Sequence, residues 1–594
     1  MRGEKEEGFV LVSILFLLAL FLALLGVYYT TTVTQLATVK YSKNSSSGFY
    51  GAEAGLNIRA ETIRQIFVGF NRPAGASPAT TNACKSGNNG SGDFVCSGYS
   101  FNNRSVSTYI EEDASNPIVL TIPPGEKYQN LNAQEYRYTA KSKAINVEQM
   151  NEAELQLRFK SRLVPLFQFA VFYNKDLEIL PGPAMTLSGP VHTNGDLYLY
   201  SQTSLTINGQ VTTAGSLYRG RKDGTVTPSC LSTPIRIYDP LSARTLIPTC
   251  PARYLVTNTD IIPFNNMIQV HVPQVTVPAP DVFDPTPGKV YWDKADLRLV
   301  LMLDASNNPA GIQVHNTDDS NFVAATTTLN ACAGVTTGGK DVAAIQIYNF
   351  REAKNIRLMD VDLTGVLNCL QNSNWFGTAK RLDDSTEGGL VFHLTVKGPN
   401  SAALPNSYGV RIRNGAQIAS TVGGAPAVRG LTVISDQAFY LMGHYNSTNK
   451  IPAAILADSM NVLSSGWSDA NSALAIGSRV ASSTTINSAF LAGTDVTGNT
   501  EGAGGQGGAY NGGVENYPRF HENWSGKIMT YRGSFVSLGK PRHVSGLWSA
   551  QSYNPPNRDW NYDTSFNNAA NLPPITPRFV YLRQELFIRD FEQQ

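Results

Sequence analysis

The sequence predicts an α+β protein, with a long N-terminal helix, a small head and a mainly β body that forms an irregular β-helix (β-solenoid). Three observations predict this. The 21 residues from Phe9 to Tyr29 carry no charge, all 32 prolines follow residue 72, and a 20-residue repeat occupies residues 185–219. Only 16% of the 594 residues are charged and 51 are glycine, a composition typical of extracellular β proteins. The net charge of +1 excludes a surface that is basic throughout.

The apolar run is long enough to cross a bilayer as a helix. Beyond Tyr29 the pattern becomes amphipathic, with apolar residues three or four positions apart and the polar residues Arg59, Glu61, Arg64 and Gln65 on the opposite face. We therefore expect one helix to residue 70, transmembrane over 9–29 and packed on a globular part in its second half. The apolar positions are Phe49, Ala52, Leu56, Ala60, Ile63, Phe67 and Phe70.

Three interpretations of the N-terminus compete. A secretory signal peptide has a shorter apolar core followed by a cleavage site of small residues, which this sequence lacks. A plain signal anchor is the second. The third rests on residues 1–8, MRGEKEEG, which are short and polar and end at Gly8 before Phe9. This leader resembles a type IV prepilin signal, which implies cleavage between Gly8 and Phe9 and a mature chain of 586 residues.

Three further stretches carry a resemblance. Residues 49–56, FYGAEAGL, are similar to a signature of PilX-type minor pilins, and residues 512–520 and 553–563 resemble stretches of large PilX-like proteins. The type that fits best is the ComZ-like competence pilins, which carry a large β-solenoid and are implicated in DNA uptake at the pilus tip. Most major pilins have glutamate at the fifth mature position, where this chain has Ser13. By the resemblance, a subunit without that glutamate initiates or caps the filament.

The resemblance also implies partners and location. These are other pilin subunits through the N-terminal helix, the prepilin peptidase, the inner membrane for the precursor, and then an extracellular pilus. The predicted segments are a leader (1–8), the pilin helix (9–70), a pilin head (71–165), the solenoid body with loop insertions (166–575) and a C-terminal strand returning to the body (576–594). Within the head, 136–144 is predicted as an edge strand and 152–163 as either helix or strand.

The repeat pairs residues 185–199 with 205–219, and seven of the 15 aligned positions are identical. Each copy contains short alternating strands broken by glycine, which indicates stacked rungs. A second pair aligns 431–441 with 453–463 at an offset of 22, and 486–492 is a third copy of that motif. The competing interpretation is a β-sandwich with chance similarity.

Six cysteines allow 15 pairings, of which the local one joins 84–96, 230–250 and 332–369. No CxxC spacing occurs, which disfavours zinc and redox sites. Disulfides would place the body in an oxidising compartment. The residues concerned are Cys84, Cys96, Cys230, Cys250, Cys332 and Cys369.

No catalytic motif is found, since HExxH and GxSxG are absent. We expect no enzyme activity, cofactor or metal. His192 is predicted to be a turn or surface residue. The acidic pairs 318–319 and 360–362 could act as catalytic carboxylates or calcium ligands, but solvated loop acids are far commoner.

The strongest binding feature is a basic segment with an aromatic residue beside cations, which can contact phosphates and stack on a base. A solvated loop is at least as good an explanation. The leading hypothesis is a non-catalytic minor pilin that supports assembly and either adhesion or DNA capture for natural transformation. The alternatives are a membrane-anchored β-helix enzyme acting on polysaccharide and a plain signal-anchored adhesin. The nucleic-acid-binding residues predicted are Tyr218, Arg219, Arg221, Lys222 and Arg236.

Overall fold

The structure, a computed structural model, describes residues 6–68, 72–223, 230–231, 233–239, 242–246, 250, 252–332, 342–499, 513–548 and 552–590. The chain divides into two compact units. The first contains residues 1–118, 134–162 and 582–594, and the second contains residues 119–133 and 163–581. The order of helices and strands confirms the predicted long apolar helix followed by a mainly β body.

The described helices and strands follow in chain order. The helices are α1 (Glu6–Val68), α2 (Asn258–Ile261), α3 (Val290–Asp293), α4 (Val323–Ala331) and α5 (Leu363–Asn372). The strands up to residue 219 are β1 (Gly75–Ala76), β2 (Ser91–Gly92), β3 (Ser97–Phe101), β4 (Arg104–Glu112), β5 (Ile118–Thr121), β6 (Asn132–Ile145), β7 (Asn151–Pro165), β8 (Val171–Tyr173), β9 (Leu177–Ile179), β10 (Met185–Leu187), β11 (Val191–Thr193), β12 (Leu197–Leu199), β13 (Leu205–Ile207), β14 (Val211–Thr213) and β15 (Leu217–Arg219). The later strands are β16 (Ile235–Asp239), β17 (Ser242–Thr245), β18 (Tyr254–Leu255), β19 (Ile268–Gln269), β20 (Leu297–Leu303), β21 (Pro309–Val314), β22 (Val342–Asn349), β23 (Lys354–Asp362), β24 (Leu390–Lys397), β25 (Tyr408–Arg413), β26 (Leu431–Met442), β27 (Ala453–Leu463), β28 (Thr484–Asn487), β29 (Ala489–Ala492), β30 (Arg519–Phe520), β31 (Ile528–Gly533), β32 (Phe535–Ser537), β33 (Asn557–Tyr562) and β34 (Arg578–Asp590).

Helix α1 is 63 residues long and packs its second half on the sheet of the first unit. The predicted apolar face is confirmed up to Phe67, and Phe70 lies outside the described residues. Arg59 was predicted on the polar face, but it is only 5% exposed. Its guanidinium donates to the carbonyls of Asp93 (2.8 Å) and Val95 (3.1 Å), so the loop before β3 covers it. The buried apolar residues, all between 0 and 5% exposed, are Ala52, Leu56, Ala60, Ile63 and Phe67.

The sheet of the first unit has the strand order β3-β4-β6-β7-β34. Strand β6 lies between β4 and β7, so its predicted edge position was wrong. The reason is that β6 has a strand neighbour on each side, with β4 paired antiparallel from Ser105 to Glu112 and β7 on the other side. The ambiguous segment 152–163 is strand, within β7. The C-terminal strand β34, predicted to return to the body, is the neighbour of β7 in this sheet.

Helix α1 lies close to the sheet at Gly55. A Cβ built at Gly55 would lie 2.8 Å from Thr108 Cγ2, 2.9 Å from Ser142 Oγ and 3.0 Å from Val106 Cγ1. Contacts this short leave no room for a side chain. Gly55 belongs to the AEAG stretch, so close packing of helix on sheet gives that stretch a structural reason.

We expect Gly55→Leu to destabilise the first unit by about 1–3 kcal/mol, because the added atoms overpack the contact with β4 and β6. Urea unfolding of the full chain in detergent measures the effect. Gly26→Leu is the matched control in the same helix, since a Cβ there meets nothing within 4 Å. Equal stability of the two variants would contradict the close contact.

The 20-residue repeat appears in the second unit as three parallel stacks in register. Val191 pairs with Val211, Leu197 with Leu217 and Met185 with Leu205, all at the predicted offset. One more copy precedes them, because β8 pairs with β11 and β9 with β12, again at an offset of 20. The apolar residues facing inward are almost fully buried, so each copy covers the core of the next.

The second repeat is confirmed in part. Strands β26 and β27 pair in parallel at an offset of 22 from Leu431 to Ser435, and the offset becomes 21 from Ala438 onward. An irregularity between Ser435 and Ala438 causes the change, so Leu441 pairs with Val462 where Leu463 was predicted. The third copy also joins this stack, since β29 pairs with β27.

The largest sheet orders its strands β19-β14-β11-β8-β32-β29-β27-β26-β24-β20-β21. Along this path the pairs from β19 to β20 are parallel and β21 is antiparallel to β20. Strands β22, β23, β25 and β30 branch from the path, and β22 pairs with β23 in antiparallel fashion. The late strand β32 pairs with β8, so the last strand of this sheet in chain order pairs with the first. No sheet closes on itself among the described residues.

The turns between stacked strands are held by a ladder of aspartates. Asp176 accepts the N–H of Asp196 (2.9 Å), and Asp196 accepts the N–H of Ser216 (2.7 Å), one repeat further on. Glycine is required beside this ladder, because a Cβ at Gly215 would lie 2.3 Å from Asp196 Oδ1. The identical glycines of the repeat therefore allow carboxylates to reach backbone amides.

The cysteines lie in the local pairs, Cys84 with Cys96, Cys230 with Cys250 and Cys332 with Cys369. Their Cα–Cα distances are 5.6, 5.9 and 5.7 Å, as disulfides require. Of the 15 pairings open to the sequence, the structure has this one.

Candidate functional site

The N-terminal half of α1 is apolar and uncovered. Its large apolar residues from Phe9 to Val39 are between 47 and 76% exposed. Within the described part of the chain, α1 is the one helix long and apolar enough to cross a membrane. An N-terminal helix of this kind can anchor a protein in a membrane or act as a signal sequence.

Hydroxyl groups along this half are satisfied by the helix itself. Ser13 Oγ donates to the carbonyl of Phe9 (2.8 Å), and Thr32, Thr34 and Thr38 each donate to the carbonyl four residues earlier at 2.8 Å. Such hydroxyls enter an apolar environment at low cost. Position 13 therefore offers no charge and no free donor to a neighbouring chain.

The predicted cleavage junction lies at the start of α1. The described part of α1 runs from Glu6, so Gly8 and Phe9 both lie within this helix, and residues 1–5 lie outside the described residues. Phe9 is 76% exposed. Whether a peptidase cuts there stays a prediction.

Two of the five predicted nucleic-acid-binding residues lie in the interior. Arg219 is fully buried and donates to the carbonyls of Leu231 (2.9 Å) and Thr233, and burial lowers its pKa to about 10. Lys222 is also fully buried, and its Nζ lies 2.9 Å from Asp176 Oδ2. The segment was expected to be an exposed loop, but these two cations lie inside the second unit and do not reach solvent.

The other three predicted residues are partly exposed. Tyr218 stacks on Tyr198 with the ring centroids 4.9 Å apart, and the Arg221 guanidinium lies over the ring of Tyr200 at 5.9 Å. Arg236 is in β16, where it pairs with Thr245. The cations that a phosphate could reach in this segment are therefore fewer than the sequence predicts, and DNA binding itself stays a prediction.

His192 was predicted at a turn or on the surface, and this was wrong. It is fully buried in β11, where its Nδ1 lies 2.7 Å from Thr212 Oγ1 and its ring stacks on Phe172 at 5.0 Å. Burial lowers the pKa of His192 to about 4. The neutral ring is a core group of the stack.

The predicted acidic pairs are held by cations or local turns. Asp360 contacts Arg411 (2.6 Å) and Arg413 (3.0 Å), and Asp362 contacts Arg413 (2.6 Å). Asp318 accepts bonds from Ser320, in a local turn. Among the described residues, no group of three or more His, Cys, Asp or Glu could hold a metal ion.

One cleft of about 660 Å³ in the second unit does bring carboxylates together. Asp284 is paired with Arg542, and Asp319 with Lys397. The third, Asp436, is buried, and burial raises its pKa to about 7. Two of the three carboxylates are therefore paired with cations, and the third is about half protonated at neutral pH.

Sequence reasoning missed a buried pair of glutamates. Glu515 lies in the stretch 512–520 and accepts the N–H of Leu180 (2.8 Å). Glu178 accepts the hydroxyl of Thr497 (2.5 Å). Each is at most 5% exposed. Burial raises the pKa of each to about 7, and at Glu178 the charge of Glu515 adds to the rise. No local motif marks them, since they lie over 300 residues apart.

Comparison with known proteins adds no relative, because no protein-family model, curated protein or solved structure matches this chain. The geometry of α1 and of the second unit is therefore the basis for a functional assignment.

Proposed function

We propose that this chain is a minor subunit of a type IV pilus, located at or near the filament tip. The observation that carries the proposal is the division of α1. One half is apolar and uncovered, and the other half packs on a β-sheet of the first unit. A subunit that passes from a membrane into a helical filament needs both halves. The Gly8–Phe9 junction and the FYGAEAGL stretch support the same assignment by resemblance.

Ser13 supports the proposed tip location. A filament subunit with a carboxylate at this position needs a partner charge, because an unpaired carboxylate in an apolar environment is costly. Ser13 has no charge and bonds to its own helix. This subunit therefore needs no neighbour above it, which suits initiation or capping of the filament.

We further propose that the parallel stacks at 20-residue register are rungs of a β-solenoid that projects outward from the filament. Its role would be adhesion to a surface or capture of DNA, without catalysis. The precursor would reside in the inner membrane, and the mature protein in an extracellular pilus. The local cysteine pairs suit that compartment.

The alternative of a membrane-anchored enzyme acting on polysaccharide draws on the cleft of Asp284, Asp319 and Asp436. Its distinguishing product would be sugar released from a polysaccharide. We favour the pilin because two of these carboxylates already pair with cations. A plain signal-anchored adhesin differs from a pilin at the mature N-terminus.

Processing at that N-terminus tests the proposal. When the full chain is produced together with a prepilin peptidase, we expect mature protein that begins at Phe9 and has 586 residues. Gly8→Lys should leave the leader attached, because the added side chain blocks the scissile bond. Gly3→Ala, a change within the same leader, should be processed normally. N-terminal sequencing and intact mass measure the outcome, and a chain that still begins at Met1 would exclude a pilin.

A further inference from the structure

A second cleft in the second unit, of about 420 Å³, lies between the segment that precedes β20 and the turn that follows α5. Its walls include Phe322, Trp375 and Phe376. These rings stand beside many charged and polar side chains, and the volume lies within the range of small-ligand sites. We call this feature the aromatic cleft.

The aromatic wall is formed by backbone in an unfavourable conformation. Asn374, Trp375 and Phe376 are consecutive residues in the left-handed region, with φ of 48°, 48° and 59°, and Gly377 follows at 79°. Bulky residues adopt this region at a cost of about 1–2 kcal/mol each. Such strain concentrates at ligand sites, where it holds side chains in a required orientation. Here it directs two aromatic rings into one wall.

The turn at residues 374–377 is also held by a disulfide in the preceding helix and by packing of Trp375. Helix α5 ends at Asn372, immediately before the turn, and Cys369 in its last turn pairs with Cys332 at the end of α4. Trp375 is 3% exposed and packs edge-on to Phe392 in β24. Phe376 is half-buried, as is Phe322, so a ligand can reach these two rings, and Phe376 is the one held in the strained turn.

The charges in the aromatic cleft neutralise one another. Lys294 pairs with Glu387 at 2.7 Å, and Lys380 pairs with Asp296. The guanidinium of Arg298 donates to the carbonyls of Trp292 (2.8 Å) and Asp293 (2.9 Å). The cleft thus offers paired carboxylates, hydroxyls and an amide as hydrogen-bonding groups, without a surplus of either charge.

From this arrangement we infer that the aromatic cleft binds a neutral oligosaccharide, with a sugar ring packed on Phe376. Aromatic rings pack on the C–H faces of sugars, while carboxylates, hydroxyls and amides bond to sugar hydroxyl groups. A nucleic acid fits less well, because its phosphates need cations that are free of carboxylate and carbonyl partners. The inference deepens the adhesive role proposed above and rests on it only in placing the body outside the cell.

Binding is tested with purified full-length protein in detergent and a panel of neutral gluco-, manno- and galacto-oligosaccharides. We expect at least one of them to bind. Phe376→Asn should then weaken its binding at least about tenfold, because the aromatic platform is lost. The same variant should fold as well as the wild type, since asparagine tolerates a φ of 59° far better than phenylalanine. Thermal melting of both proteins checks this.

Tyr238→Asn is the matched control, because Tyr238 is an exposed aromatic residue (41%) outside the cleft. It should leave saccharide binding unchanged. The inference is overturned if no member of the panel binds, if Phe376→Asn binds as tightly as the wild type, or if a single-stranded oligonucleotide displaces the saccharide. Failure of leader processing would count against the pilin and leave this result standing, so the two proposals fail separately.

Discussion

Replacing Glu352 with alanine is expected to lower the free energy of unfolding of the second unit by about 3–5 kcal/mol, the usual cost of breaking a buried ion pair from one side. The Glu352 side chain is 1% exposed and lies 2.6 Å from Arg519, which is 3% exposed. Arg519 also contacts Asp495 at 2.9 Å, and Arg351 contacts the same carboxylate at 3.2 Å. Alanine at 352 would leave two buried guanidinium groups sharing one carboxylate.

Glu352 also joins distant parts of the chain. Its carboxylate accepts the N–H groups of Ser545 (3.0 Å) and Gly546 (2.8 Å), nearly 200 residues later in the sequence. Burial disfavours its charge, but Arg519 and these N–H groups hold the pKa of Glu352 below its ordinary value. The loss on substitution therefore has an ionic part and a hydrogen-bonding part.

Two further variants separate these parts. Glu352→Gln keeps an oxygen for the N–H groups without the charge, so we expect a smaller loss than with alanine. Asp559→Ala removes an exposed ion pair, with Arg532 at 2.9 Å, and should cost at most about 1 kcal/mol. Urea unfolding of the full chain in detergent gives all three values. Equal losses for Glu352→Ala and Asp559→Ala would show that the buried network contributes no more than a surface pair.

What the sequence could predict is local or periodic. The apolar face of α1 follows from spacings of three and four, and the stacks at residues 185–219 follow from identities 20 positions apart. The preceding copy was missed because it keeps the buried apolar residues Val171 and Leu177 but has Tyr173 and Lys175 where the later copies have threonine and glycine. A search for identical residues finds only those copies that share the threonine and glycine of the turns as well as the apolar residues of the core.

What it could not predict is the long-range partner of a charge. Arg219 and Lys222 stand beside an aromatic residue, as in loops that bind nucleic acid. In the structure, Arg219 is buried against carbonyls 12 and 14 residues later, and Lys222 is buried against Asp176, 46 residues earlier. The aromatic cleft could not be predicted from the sequence for the same reason, since its residues are distant in the chain. Its left-handed turn follows an ordinary amphipathic helix, and only the folded chain brings Lys294 and Glu387 to its mouth.

Changing Glu515 to glutamine is expected to alter how stability depends on pH. Its pKa is raised to about 7 by burial, and an unfolded glutamate titrates near 4.3. A raised folded pKa means that the native state binds the extra proton. The associated stability is complete below about pH 4 and is lost as pH rises through 7. Glutamine removes this loss, and it also relieves Glu178 of a neighbouring charge.

The whole protein is a poor reporter of this effect, because buried histidines titrate in the opposite sense. The pKa values of His192, His393 and His543 are lowered to about 4 by burial, so their contribution is complete above about pH 6.5 and is lost as pH falls through 4. Between pH 4 and 7 they oppose the glutamates. The informative quantity is therefore the difference between variant and wild type, in which the histidines cancel.

We expect Glu515→Gln to gain stability relative to the wild type as pH rises from 5 to 8, by about 2 kcal/mol, since one pKa unit corresponds to about 1.4 kcal/mol. Urea unfolding midpoints at four or five pH values measure the difference. Asp559→Asn, at an exposed carboxylate, should show a constant offset from the wild type. A constant offset for Glu515→Gln as well would mean that Glu515 keeps its proton, or its charge, across the whole range. The two buried glutamates would then be fixed parts of the core with no role in its response to pH.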